Sequence, residues 1–193
     1  MIKDLFLYFA KFPERNGVLS MFTNGSSNMP EYLQLRQTIN KAEVHSLIPE
    51  IKNYVYGQDF DDVKERVDRL FGSWLMVDYG EFRFSGSDSG SLITGQRIAV
   101  TVAEKISDIA DMVERMIISD TTLRYLNRIY AYIMADSDSG MTDWIDRDEI
   151  LRAEIIPFVA SELKSAGWTL VFTASAHDPM DINSLRRTYR KGL

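Results

Sequence analysis

The sequence predicts an α+β fold. A small, mostly antiparallel sheet is expected from a β-hairpin over residues 73–104 and a late strand over 168–175, with helices packed on one face. Three observations predict it. Alternating apolar stretches flank a Ser/Gly/Asp-rich turn between residues 73 and 105. Helical periodicity runs through 59–71 and again through 106–135. The aromatic and β-branched run WTLVFTAS at 168–175 reads as a further strand. The domain organisation expected is an N-terminal arm over 1–30, an α+β core over 31–176 and a basic C-terminal tail over 177–193.

The opening stretch MIKDLFLYFAKFPERN reads as a strand or short helix docked on the body. Its apolar run LFLYFA is too short for a signal segment, and Asp4 and Lys11 interrupt or flank it. No stretch approaches the ~18 apolar residues of a membrane span, so a soluble protein made without export is expected. Asn24-Gly25 and Met29-Pro30 mark a loop, and a short helical pattern follows from Glu31. Pro49 suits the first turn of a helix that runs to about Tyr56 and ends at Gly57. Asp59 then caps a helix whose Phe60, Val63, Val67, Leu70 and Phe71 share one face, with Gly72 just past its end.

In the first hairpin strand Leu75, Val77 and Tyr79 alternate with Trp74, Met76 and Asp78. Gly80 breaks the pattern as a bulge would, before Phe82 and Phe84. In the second strand Ile98, Val100 and Val102 alternate with Ala99 and Thr101, and the linking SGSDSGSLITG is long enough to form a projecting tip. A helix over 106–118, capped by Ser107 or Asp108, carries Ile106, Ile109, Ala110, Val113, Met116 and Ile117 on one stripe. A second, over 120–135, turns Leu123, Leu126, Ile129, Tyr130 and Ile133 inward. An acidic loop at 136–148 leads into EILRAEIIPFVASELKSAGW, which reads as helical with Pro157 as a kink or a junction, ended by Gly167.

The chain has 193 residues, enough to bury a substantial core. Its net charge of −6 repels nucleic acid and anionic membranes as a whole, so such contacts would need a local basic patch. With no cysteine there is no disulfide framework, thiolate metal site or cysteine nucleophile. That composition suits a reducing interior, and equally a particle that must not cross-link.

Four groups of residues bear on function. The acidic loop offers Asp136, Asp138 and Asp143 as oxygen ligands for a hard cation. An EF-hand, however, requires a ligand at position 5, glycine at 6 and glutamate at 12, where this chain has Gly140, Met141 and Arg147. The hairpin tip, with Ser87, Asp88 and Ser89, joins two strands and lacks a lysine, so it reads as a loop that orders against a neighbour and not as a phosphate cradle. His177-Asp178 offers a base with its orienter, but with Pro179 it also makes an ordinary strand-ending turn; His45 is the only other histidine. In the tail, Arg186, Arg187, Arg190 and Lys191 form a solvated end, a phosphate-contacting patch, or an arm that docks on an acidic surface of another subunit. With only Tyr189 as an aromatic among them, sequence-specific nucleic-acid contacts are not expected. No cofactor and no catalytic activity are expected.

The stretches LMVDYGEFRF (75–84), QRIAVTVAEK (96–105), ISDIADMVERMII (106–118) and WTLVFTAS (168–175) form the order helix, long hairpin, helix, late strand. That order resembles the tail-terminator and head–tail joining (connector) proteins of tailed bacteriophages. The resemblance covers about half of the chain and implies a virion protein in a homo-oligomeric ring, assembled in the host cytoplasm, with portal or tail subunits as further partners and no membrane contact. It implies that the 85–91 tip, the N-terminal arm and the basic tail bridge neighbours, with Trp144 or Trp168 anchoring an interface. Two other readings stay open: a metal-assisted enzyme using the acidic loop with His177 as base, and a cytoplasmic interaction or regulatory module whose tail contacts nucleic acid.

Overall fold

The computed structural model describes residues 2–22, 27–58, 60–80, 82–86, 92–140, 142, 144–145 and 147–177. Three helices come first, α1 (Ile2–Ala10), α2 (Arg15–Leu19) and α3 (Pro30–Lys41). Strand β1 (Asn53–Gly57), helix α4 (Phe60–Asp68), and strands β2 (Ser73–Asp78), β3 (Phe82–Gly86) and β4 (Leu92–Lys105) follow. The chain then forms the long helix α5 (Met112–Asp138), the short α6 (Arg147–Leu151), and strands β5 (Glu154–Ala160) and β6 (Ser165–His177). The strands form one sheet in the order β1-β2-β4-β6-β5, with β3 also paired to β4; only the β1–β2 pair is parallel. The α+β architecture with a mostly antiparallel sheet is therefore as the sequence predicts.

Strand β4 is the spine. It pairs with β2 and β3 along one edge and with the whole of β6 along the other, from Ile93↔His177 to Lys105↔Ser165. The registers either side of Gly80, Asp78↔Ala99 and Phe82↔Gln96, leave one extra residue between β2 and β3, so the expected bulge is present. Gly80 has a φ of +28°, and a Cβ there would lie 2.2 Å from the Arg97 carbonyl oxygen. Both facts require glycine.

The main core lies on one face of the sheet. Leu75, Val77, Ile98, Val100, Val102, Leu170 and Phe172 meet Leu5, Phe6 and Phe9 of α1 and Leu126, Ile129 and Ile133 of α5. The segment expected as an N-terminal arm is thus part of the core, because its aromatic residues fall on the buried side of α1. The other face is covered in part by α4: Val63 and Val67 pack with Val55, Trp74 and Ala103. A parallel pair needs a crossover, and the crossover from β1 to β2 is what carries α4 to that side. Helices therefore occupy both faces.

Several expected elements differ. Residues 53–57 form β1, not the end of a helix begun at Pro49; NYVYG is rich in residues that favour strands, and β2 supplies its partner. Helix α4 stops at Asp68, so Phe71 lies beyond it and is exposed; the expected cap, Asp59, is outside the described residues. The two helices expected over 106–135 are one, which starts at Met112 and runs unbroken through the polar segment, where the buried Thr122 hydroxyl donates to the Ile118 carbonyl at 2.8 Å. Its N-cap is Asp111, whose side chain accepts from the Val113 and Glu114 amides at 2.8 and 3.0 Å, and not Ser107 or Asp108. The long helical run expected over 149–168 is helical only to Leu151 and then forms β5. Pro157 is tolerated because β5 is an edge strand with a single neighbour.

Three phenols fasten α1. The Tyr54 hydroxyl donates to the Phe6 carbonyl at 3.1 Å, Tyr56 to the Ile2 carbonyl at 2.7 Å, and Tyr8 to Oδ2 of Asp136 on α5 at 2.8 Å. Burial is the main cause that pushes all three phenols above the ordinary tyrosine value. The Asp136 carboxylate adds to it for Tyr8, neighbouring Tyr79 and Asp4 for Tyr56, and Tyr56 for Tyr54. A folded-state pKa above the unfolded one gives stability that is complete below the unfolded value and is lost as pH rises toward the folded one. Thermal unfolding followed between about pH 8 and about pH 11 should therefore show a midpoint that holds to about pH 10 and falls steeply above it. A midpoint that does not fall above about pH 10 contradicts the assignment.

Candidate functional site

The stretch expected as an acidic loop, 136–148, begins in the last turn of α5 and ends in α6. Asp136 and Asp138 sit in the last turn of α5, and each is already answered by a cation. Asp136 accepts from Lys11 Nζ at 2.6 Å and from the Tyr8 hydroxyl; both side chains of the ion pair are mostly buried. The Lys11 ammonium also stands 3.8 Å from the centre of the Tyr8 ring and 5.1 Å from that of Phe12. Asp138 pairs with Arg147 at 2.7 Å, at the start of α6. These carboxylates fix the end of α5 against α1 and α6. Among the described residues no group of three or more His, Asp or Glu side chains is placed to hold a metal ion. Asp143 lies outside the described residues.

The two expected interface tryptophans are half-buried and turned into the subunit. Trp144 meets the Tyr8 ring edge-on, 5.1 Å between centres, and so joins the Lys11–Asp136 cluster. Trp168 packs beside the main core and donates its indole N–H to the Ser119 carbonyl at 2.9 Å, tying β6 to α5. The tip residues Ser87, Asp88 and Ser89, and the tail residues Arg186, Arg187, Arg190 and Lys191, lie outside the described residues. His45 is exposed in the loop after α3, with Nδ1 3.0 Å from the Ser46 hydroxyl.

The surface that stands out is one the sequence reading places in the core. Met112, Val113, Met116 and Ile117 occupy the first two turns of α5 and are 73%, 62%, 63% and 57% exposed. Spacings of one, four and five residues put them on a single stripe. Ile118, Leu126, Ile129 and Ile133 occupy the opposite side, against the sheet. Ile106, Ile109 and Ile118 form a small separate cluster with Ala166, so the chain before α5 is anchored while the outer side of the helix stays bare. The signal is present in the sequence, but only once 112–138 is read as one helix. Its buried phase is then set by the longer C-terminal stripe, and Val113, Met116 and Ile117 fall outward.

Strand β5 exposes apolar side chains on both faces. Ile155 and Val159 on one face are 36% and 53% exposed and Ile156 on the other is 44% exposed, and the strand closes the sheet order with one edge unpaired by any described strand. Among the described residues no helix is long and apolar enough to cross a membrane.

The cluster around Asp136 makes a direct prediction about stability. Asp136→Asn leaves the Lys11 ammonium without its counter-charge among aromatic rings and should lower unfolding free energy by about 1–3 kcal/mol, read by urea denaturation. A loss below about 0.5 kcal/mol contradicts a structural role for this carboxylate. No protein-family model, curated protein or solved structure matches this chain.

Proposed function

We propose that this protein is a structural subunit that assembles with copies of itself into a ring, of the class that seats a phage tail on its head or portal, or closes the tail. The observation that carries the reading is the bare apolar stripe of α5. These four side chains together expose on the order of 450 Å², the size of the largest apolar patch on a typical soluble chain, and such a patch is often functional. Asp111 caps the helix and Trp168 holds its Ser119 carbonyl, so the stripe is presented on a rigid element. The order of helix, hairpin, α5 and late strand is the further support for the virion assignment. Under this reading the ring works in the virion, with portal or tail subunits as its other neighbours.

The magnitudes favour a closed ring over an isolated pair. Burying the stripe removes from water an apolar surface worth on the order of 10 kcal/mol at about 25 cal/mol per Å². Association costs about 4–15 kcal/mol in lost freedom, so one contact gives weak pairing. A closed ring gives every subunit two contacts, and this makes assembly steep in concentration.

Mass photometry and negative-stain imaging of the purified protein test the reading. Uniform rings are expected, and Met116→Lys should convert them to monomers while leaving the thermal midpoint of the dilute monomer within about 2 °C, since the side chain touches no core. A wild-type protein that stays monomeric at every concentration, alone and with its portal and tail neighbours, contradicts it.

A further inference from the structure

We propose that the cavity between α1, α3 and the loop after α3 binds a small aliphatic carboxylate, at a site independent of the subunit contacts above. The Arg15 guanidinium takes the carboxylate, and the apolar walls take its chain. The cavity has a volume of about 160 Å³ and is lined by Leu7 and Ala10 of α1, Ile39 of α3, Val44 of the loop, and Arg15. At roughly 10–15 Å³ for each solvent-sized position, it has room for on the order of ten non-hydrogen atoms.

Arg15 brings a charge to this cavity without a counter-charge. Among the described residues its guanidinium enters no ion pair. Nη2 donates to the Ala42 carbonyl just past the end of α3, which uses one of five N–H groups, and Nε is buried without a partner. The acids that could answer it are committed elsewhere: Glu14 pairs with Lys52 Nζ at 3.1 Å, and Asp136 with Lys11 Nζ at 2.6 Å. Lys11 also lines the cavity, but Asp136 neutralises it. Glu43, in the same loop, is exposed and does not line the cavity. A guanidinium beside apolar walls attracts an anion more strongly than one in open water, because the local dielectric is lower.

The loop wall is fixed in place. The Leu47 and Ile48 amides donate to the Lys11 and Phe12 carbonyls at 3.0 and 2.8 Å. The Arg15 amide donates to the Ser46 hydroxyl at 3.0 Å, and Ser46 is held at a φ of 49°, in the left-handed region that serine rarely takes. Strain of that kind persists where surrounding contacts over-determine it, and it clusters at ligand sites. The lining selects the class of ligand. A phosphate needs several converging donors, whereas here one guanidinium meets the aliphatic carbons of Leu7, Ala10, Ile39 and Val44. A monocarboxylate of about four to six carbons satisfies both, with its head on the unpaired guanidinium N–H groups and its chain on the walls.

Hexanoate, its neutral isostere hexanamide, acetate and inorganic phosphate would each be titrated into the purified protein, by calorimetry and by saturation-transfer NMR. Hexanoate is expected to bind saturably with a Kd of about 1 mM or below, and hexanamide and acetate at least about tenfold more weakly. Val44 is 59% exposed, so replacing it leaves the core intact. Val44→Glu puts a carboxylate on the cavity wall, where it competes for Arg15, and should weaken hexanoate at least about tenfold; Val44→Gln, of the same size, should keep it within about threefold. This pair reads the site without removing the contact between Arg15 and Ala42. Hexanamide binding as tightly as hexanoate would show an apolar cavity only and overturn the role of Arg15. Phosphate binding more tightly than hexanoate would overturn the carboxylate class. No saturable binding of hexanoate, or equal affinities in the two Val44 variants, would overturn the site.

Discussion

The double pairing of β4 is the constraint on which the rest of this structure depends. One strand serves β2 and β3 on one edge and all of β6 on the other, so it sets the register of both halves of the sheet. Ile98, Val100 and Val102 then share a face, and α1 and α5 have a continuous apolar floor to stand on. The pairing is close. At Gly167, opposite Ala103, a Cβ would fall 2.0 Å from the Val102 carbonyl oxygen, so glycine is the residue that lets β6 approach there. Thr101 and Thr169 meet across the same two strands on the other face, where their hydroxyls satisfy each other at 2.8 Å in a buried position.

From this floor the N-terminal helices are held by polar pins as much as by packing. Tyr54 and Tyr56 reach from β1 to carbonyls of α1, and Tyr8 and Lys11 reach from α1 and the turn after it to Asp136 at the far end of α5. The Arg66 guanidinium, on α4, donates to the Tyr54 carbonyl and to Ser20 beyond α2, which links the layers on the two faces of the sheet. Each pin joins residues far apart in the sequence, so together they select one packing of α1. The result is a subunit whose α5 is fixed at both ends while its outer side near the N-terminus stays open.

The hairpin and the inner stripe of α5 are legible in the sequence because their patterns are long and have a single period. Ile98 to Val102 can only alternate, and Leu126, Ile129 and Ile133 can only share a helical face. β1 and β5 are not legible for opposite reasons. NYVYG is five residues whose strand identity depends on a parallel neighbour, β2, reached only across the α4 crossover. EIIPFVA is apolar on both faces, so no period marks it, and its proline fits a broken helix as well as an edge strand. The candidate site was obscured by the same ambiguity. Read as two helices, 106–135 lets Val113, Met116 and Ile117 face the core; read as one, it turns them to solvent. Asp136 carries no local sign that its partner is Lys11, because that contact exists only after α1 packs against α5.

The central claim is that the outer stripe of α5 is covered in the working assembly. Methionine oxidation measures this directly, since sulfoxide forms at a rate set by access to the thioether. Met29 is 63% exposed, as is Met116, while Met112 is 73% exposed, so Met29 serves as an internal standard within the same chain. Peroxide treatment of the concentrated protein, read by peptide mass spectrometry, should oxidise Met112 and Met116 several-fold more slowly than Met29, and dilution to monomer should remove the difference. Equal rates at all three methionines in the concentrated protein would contradict the account.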